Sequence, residues 1–281
     1  MKKLISAILV LALVLSGVAL FASCKKQNKG FKIAVPNDAT NEARALQLLE
    51  ANGLIELKKD LQSDATPRDI VSNPYNIEIV EVEAAQIPAR LADVDYAVIN
   101  SNYAIEHGLT PFVTEGTDVS YPNIIAVKSG NENSDKIKAL VAAVNSQAVK
   151  DYINATYKGA IVCDLGTVTD GTDSSVDYEA LKGTTITIAA SPVPHADILK
   201  IAKDVLAQKD ITLKITEYND YVVPNDVVES GEVDANYFQH VPYLEYFNAE
   251  HGTHLVSVLE VHHEPMGIYS STYSDLSAVK K

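Results

Sequence analysis

Two stretches decide the fold: "YEALKGTTITIAASPVPHADILKIAKDVLAQKD", Tyr178 to Asp210, and "FKIAVPNDATNEARALQLL", Phe31 to Leu49. The first reads as a short helix, a strand, a proline-rich turn and a helix. The second reads as a strand, a turn at Pro36-Asn37-Asp38 and a helix. Setting the closing "SDLSAVKK", Ser274 to Lys281, ahead of the second supplies its missing short helix. Both units then follow the same order, which suggests two similar α/β lobes. Strands alternating with helices imply sheets covered by helices on both faces. Helix N-termini that follow strand–turn units are natural places to hold an anion.

Outward from these units the pattern continues. Thr40 or Asn41 is suited to cap the helix of "TNEARALQLLEANG", and Gly53 to end it. "IEIVEVE", "DYAVIN" and "YPNIIAVKSG" read as strands, and "AAQIPARLADV" as a short helical piece. "SDKIKALVAAVNSQAVKDYINATY" reads as helical, with Ser134 as its cap. Residues 164–177, "DLGTVTDGTDSSVD", have no apolar period and read as a linker or surface loop. "GEVDANYF" reads as a buried strand, "PYLEYFNAEHG" as a helix and "HLVSVLEVHHEPMGIYS" as one or two strands.

The chain of 281 residues opens "MKKLISAILVLALVLSGVALFASCKK". Lys2 and Lys3, an apolar run to Phe21 and the small pair Ala22-Ser23 make residues 1–23 a signal peptide. "FASC" is similar to a lipobox, so Cys24 is the expected lipidation site. A plainly cleaved signal or an uncleaved anchor helix remains open on these residues alone. Residues 24–30 read as a tether. The formal charge of −14 argues against nucleic acid or an anionic membrane surface as a partner. With Cys24 lipidated, Cys163 has no partner for a disulfide. The length suits one large domain or two lobes.

Chemistry concentrates in a few places. Arg44 sits early in its helix, where a guanidinium fork and free N–H groups together suit a carboxylate. Alone it is equally a surface arginine. Asn100 and Asn123 sit at strand ends and offer uncharged donors and acceptors, though asparagine is ordinary there. "GEVDANYFQHVPYLEYF", Gly231 to Phe247, crowds rings among polar groups in a chain that is 7% aromatic and lacks tryptophan. Tyr221, Phe238 and Tyr243 could enclose an aliphatic or thioether side chain, with Gln239 and His240 capping it. The alternative is an aromatic core, which is the reading favoured for Tyr246 and Phe247. His251, His254 and His262-His263-Glu264 lack convergent metal-ligand spacing, so no metal or other cofactor is expected. No nucleophile motif or phosphate loop is present, so no enzyme is expected.

"DYVVPNDVVESGEVDANYFQHVPYLEYFNAEHGTHLVSV" resembles the first half of the methionine-binding lipoproteins of ABC importers, the NlpA/MetQ lipoprotein family. "IAVPNDATNEARALQLLEANGLIELK", "DIVSNPYNIEIVEVEAAQIPARLADVDYAVINSNYA" and "YKGAIV" resemble the second half. The resemblance covers nearly all of 31–163 and 183–281. The halves stand in reversed order, as in a circular permutation. That order predicts that Lys281 lies near Phe31.

The resemblance implies an α/β, two-lobed periplasmic-binding-protein architecture, type II-like, in permuted order. One lobe would span 31–120, with 271–281 returning to it as a short helix. The other would span 121–270, including the 164–177 linker. Crossings would fall near Tyr121–Asn123 and Gly267–Tyr273. It also implies site roles. Arg44 would bind the ligand carboxylate with Asn41 near it. Asn100 and Asn123 would hold the amino and carboxylate groups. Tyr221, Phe238, His240 and Tyr243 would surround a methionine side chain. The implied function is lipid-anchored capture of L-methionine for an ABC permease and ATPase, at the periplasmic or extracellular face of the cell membrane. Alternatives are another small amino acid, a methionine-containing dipeptide, or a metal-binding or adhesin lipoprotein.

Overall fold

A computed structural model describes residues 30–59, 61, 65–116 and 121–280. The signal peptide, Cys24 and all of the tether but Gly30 lie outside the described residues, as does Lys281.

Two sheets organise the chain. The first holds β1 (Lys32–Pro36), β4 (Glu78–Val82), β5 (Tyr96–Ile99), β6 (Val113–Thr114) and β13 (Gly267–Tyr269), in the order β4-β1-β5-β13-β6. The second holds β7 (Pro122–Lys128), β8 (Val162–Cys163), β9 (Thr185–Ala190), β10 (Thr212–Glu217), β11 (Ala235–His240) and β12 (Leu255–His263), in the order β10-β9-β11-β7-β12-β8. A small ribbon pairs β2 (Glu56–Leu57) with β3 (Ile70–Ser72).

The repeat seen in the sequence is a repeat of topology. β1 lies parallel between β4 and β5, and β9 lies parallel between β10 and β11. In each sheet the next strand is antiparallel and arrives from the other lobe: β13 beside β5, β7 beside β11. β5 and β11 are buried along their whole length, as central strands covered on both faces must be.

β7 and β13 mark the crossings. One runs through Tyr121 into β7. The other was expected near Gly267–Tyr273, but Gly267 already pairs with Ile99 in the first sheet. The return therefore falls at 264–266, and 267–270 sit with the first sheet rather than the second. A Cβ on Gly267 would stand 2.7 Å from the Pro111 side chain, so the close approach needs glycine.

Local chemistry explains the element ends. Helix α1 (Ala39–Ala51) is capped by Asp38, not by Thr40 or Asn41: Asp38 Oδ1 accepts from the Asn41 backbone at 3.0 Å. Gly53 follows the cap at φ 67°. The expected long helix from Ser134 breaks into α3 (Asp135–Val144) and α4 (Gln147–Tyr157), because Ser146 caps a second start by accepting from Val149 N at 3.4 Å. The other helices are α2 (Ser101–Glu106), α5 (Tyr178–Leu181), α6 (Asp197–Ala207), α7 (Val223–Glu229) and α8 (Val241–His251). "AAQIPAR" forms two single 3₁₀ turns.

Residues 164–177 are more than a surface loop. Leu165 and Val176 enter the core under the second sheet, and the Thr169 backbone bonds to Asn145 O and Gln147 N. The closing residues form turns at 277–280 instead of the expected short helix. Leu276 and Val279 join the core of the first sheet with Ile33, and the Tyr273 ring lies 5.1 Å from Tyr96 and 6.0 Å from Phe31. Among the described residues no helix is long and apolar enough to cross a membrane.

Candidate functional site

A cavity of about 30 Å³ lies between the sheets, where the crossings meet. All eight residues expected from the sequence line it: Asn41, Arg44, Asn100, Asn123, Tyr221, Phe238, His240 and Tyr243. Ser101, Asn102, Gln239 and Glu264 complete the lining.

The elements explain the convergence. Asn41 and Arg44 stand three apart, hence on one face of α1. Asn100 directly follows β5 at the N-cap of α2, and Asn123 is the second residue of β7. Phe238 and His240 lie two apart on β11, and His240 Nδ1 also accepts from Tyr243 N at 3.3 Å, capping α8. The strand end thus places His240 and Tyr243 together.

One end of the cavity is aromatic. The rings of Tyr221, Phe238 and Tyr243 lie 5.8–6.1 Å apart, within the range of favourable ring pairs. Tyr243 donates its hydroxyl to Tyr221 O at 2.9 Å. Phe247 backs this cluster, as expected of a core residue, whereas Tyr246 is 39% exposed and is not core. Two hydroxyls bridge the lobes: Tyr221 to Asn102 Oδ1 at 2.8 Å, and Tyr103 to Asn219 O at 2.7 Å. Gln239, expected to cap the pocket, does line it, but its amide donates to Asn225 and Asn236.

The other end is polar. Arg44 is buried and does not offer its whole fork. Its Nε and Nη2 meet the Glu115 carboxylate at 2.7 and 2.5 Å, and Nη2 also donates to Glu264 O at 2.8 Å. Tyr121 lies under the guanidinium at 4.5 Å, a cation–π contact. Burial and the Arg44 charge hold His240 neutral, with a pKa of about 3.

A hydrogen-bonded chain runs behind Asn123. His262 Nε2 lies 2.8 Å from Glu264 Oε1, and its Nδ1 meets the Tyr237 hydroxyl. His195 Nε2 lies 2.9 Å from Asn123 Oδ1 and 3.6 Å from Glu264 Oε1. Burial holds both rings neutral, each with a pKa of about 3, and pushes the Glu264 carboxyl up. His195, His262 and Glu264 are the group among the described residues whose ligand atoms come within 4.8 Å of one another, as a metal would require. His195 Nε2, His262 Nε2 and Glu264 Oε1 each have a protein partner, whereas His195 Nδ1 has none among the described residues.

Sequence reasoning missed Glu115, His195, Ser101 and Asn102, and placed Glu264 only among candidate metal ligands. Glu115 is 71 residues from its partner, a pairing that no local pattern reveals. His195 carried a usable signal: it occupies the turn after β9 that corresponds to the Asn41 region after β1.

Two α/β lobes joined by two crossings, with a cavity between them, are what this fold defines. The chain belongs to the NlpA lipoprotein family, whose model matches residues 19–164 and 186–281. The chain is 42% identical over 137 residues to outer membrane lipoprotein 3 of Mannheimia haemolytica, covering 47% of this chain and 52% of that one. It is 41% identical over 139 residues to the D-methionine-binding lipoprotein MetQ of Salmonella typhi, covering 47% of this chain and 51% of that one. The chain spans about half the length of the curated relatives it matches. A solved nutrient binding protein from Burkholderia cenocepacia, bound to methionine, is 42% identical over 49% of this chain and 60% of its own, with a TM-score of 0.45.

Proposed function

We propose that this protein is the lipid-anchored solute receptor of an ABC importer and that it holds L-methionine between its lobes. The observation that carries the reading is the two-ended cavity: three rings at one end, a guanidinium and asparagine amides at the other. Tyr221, Phe238 and Tyr243 enclose the thioether, since sulfur at ring edges gains about 0.3–1.5 kcal/mol. Arg44 takes the carboxylate through the amino nitrogen that Glu115 leaves free, with Asn41 beside it. Asn100 and Asn123 hold the amino and carboxylate groups, and neutral His240 closes the pocket without repelling a cation. The lobes are roughly 31–120 with the closing residues, and 121–266. Ligand stabilises their closed arrangement by differential affinity and no bond is made or broken. Lipid on Cys24 keeps the protein at the outer face of the cell membrane, where it meets a permease and ATPase.

The same reading takes the chain as a circular permutation of the family order. The two curated relatives described above match over 137 and 139 residues, about half of either chain, and Tyr273 and Leu276 pack around Phe31 and Ile33, the place where the ends of a permuted chain should meet.

Thermal unfolding of the purified chain, first unfolded and refolded to strip ligand, tests the function. The arms are L-methionine, D-methionine, other amino acids, Gly-Met and Zn²⁺. A rise in Tm with L-methionine, growing with concentration, is the expected outcome. A shift with Zn²⁺ alone would favour the metal reading of His195, His262 and Glu264.

A further inference from the structure

The polar end of the cavity has a direction. Asn100 donates Nδ2 to Asn41 Oδ1 at 2.8 Å, and its own Oδ1 is buried without a partner among the described residues. Asn100 is only 8% exposed, and such an orphaned acceptor is costly unless something donates to it. Asn123 is turned the other way. His195 Nε2 faces Asn123 Oδ1 and Glu264 Oε1, both acceptors, so Nε2 carries the ring's one proton. Asn123 Oδ1 is therefore occupied, and its NH₂ is the group left for a ligand. One asparagine offers an acceptor and the other a donor.

Glu264 lies on the acceptor side. It follows β12 at the crossing, and its neighbour Pro265 accepts from Ser101 Oγ, next to Asn100. The carboxylate receives the Asn102 backbone N–H. It also receives His262 Nε2–H at 2.8 Å, because the neutral ring accepts the Tyr237 hydroxyl at Nδ1 and so must donate from Nε2. Three neutral donors hold it: Asn102, His262 and, at longer range, His195. Arg44 touches the Glu264 backbone carbonyl, and its guanidinium is matched by Glu115. Glu264 is thus a buried carboxylate on the cavity wall with no cation of its own within salt-bridge distance among the described residues. Burying such a charge is unfavourable unless a counter-charge arrives.

We infer that Glu264 is the counter-ion for the ligand's α-ammonium group, with Asn100 Oδ1 as its second acceptor, and that His195 and His262 are positioning residues that aim it. This rests on the amino-acid reading above. It makes the site a receptor for zwitterions: Arg44 and Asn123 donate to one end of the ligand, Glu264 and Asn100 accept from the other. A carboxylic acid without the amine leaves both acceptors unpaired.

The test uses calorimetric titration of the refolded full chain, Glu264→Gln and Glu264→Asp, against L-methionine and its des-amino analogue, 4-(methylthio)butanoate. Wild type should prefer methionine by at least 10–100-fold, the scale of a charge-assisted hydrogen bond. Glu264→Gln should lose 10-fold or more in methionine affinity and bind the analogue no worse, so that the preference collapses. Glu264→Asp should retain part of it. Equal loss of both ligands in Glu264→Gln, with an unchanged unfolding temperature, would overturn the inference, as would an undiminished preference. If wild type binds another amino acid instead, the pair becomes that amino acid and its des-amino analogue: the methionine assignment then fails while the Glu264 role is still decided. If wild type binds no amino acid, both fall.

Discussion

Arg44 and Glu115 meet edge to edge, Nε to Oε1 at 2.7 Å and Nη2 to Oε2 at 2.5 Å, with both side chains buried. Glu115 Oε2 also accepts from Met266 N at 2.7 Å, so the pair ties α1 to the return crossing. Removing one member of a buried pair leaves the other uncompensated, at about 3–5 kcal/mol. Glu115→Ala should therefore lower Tm by roughly 10 °C. It should also weaken methionine binding, because the guanidinium loses its aim. Differential scanning calorimetry and titration of the same variant check both.

Arg44→Lys keeps the charge and discards the fork. Lysine cannot serve Glu115 on one edge and a ligand carboxylate on another. The expected result is a methionine affinity at least 10-fold weaker in a protein that still folds. An affinity within twofold of wild type would show that the carboxylate binds elsewhere.

The hydroxyl of Tyr221 reaches across the cleft to Asn102 while its ring lines the aromatic wall. Tyr221→Phe keeps the ring and loses a bond worth about 1 kcal/mol. The lobes should then close less firmly, and methionine affinity should fall about fivefold, mainly through faster release. Stopped-flow displacement reads that rate.

His195, His240 and His262 are neutral in the folded protein, each with a pKa of about 3, first of all because they are buried. In the unfolded chain a histidine takes its proton near pH 6.5. Between those values the unfolded state holds more protons. Stability from these groups is thus fully present above about pH 6.5 and is lost as pH falls toward 3. Tm should drop between pH 6.5 and 4.5, and His240→Asn should drop less steeply.

Glu42 has the opposite sign. Burial, then a hydrogen bond to Glu81, push its carboxyl up to about 8. The folded state holds the extra proton, so this contribution is present below about pH 4.5 and is lost as pH rises to 8. Glu42→Gln should flatten the decline in Tm between pH 6 and 8.5.

What the sequence made legible was local. Strand–turn–helix order in two units gave the two sheets, and proline and glycine punctuation gave most turns. The eight expected residues converge because seven lie near the end of a strand or the start of a helix and Tyr221 lies in the loop between β10 and α7, where the two units face one another. The partners of those residues were hidden. Glu115 pairs with Arg44, and His195 with Asn123, across separations of 71 and 72 residues, and both depend on how the lobes close. The break at Ser146 was missed because apolar spacing continues through it. Asp38 won the cap from Thr40 and Asn41 because its carboxylate reaches the Asn41 N–H from just ahead of the helix.

The most direct measurement is a calorimetric titration of the refolded chain with L-methionine, beside L-alanine and L-glutamate. One methionine should bind per chain, with a negative heat-capacity change from burial of the thioether among Tyr221, Phe238 and Tyr243, and the other two should bind far more weakly. Tighter binding of alanine or glutamate, or no heat with any of the three, would contradict the assignment of the cavity to methionine.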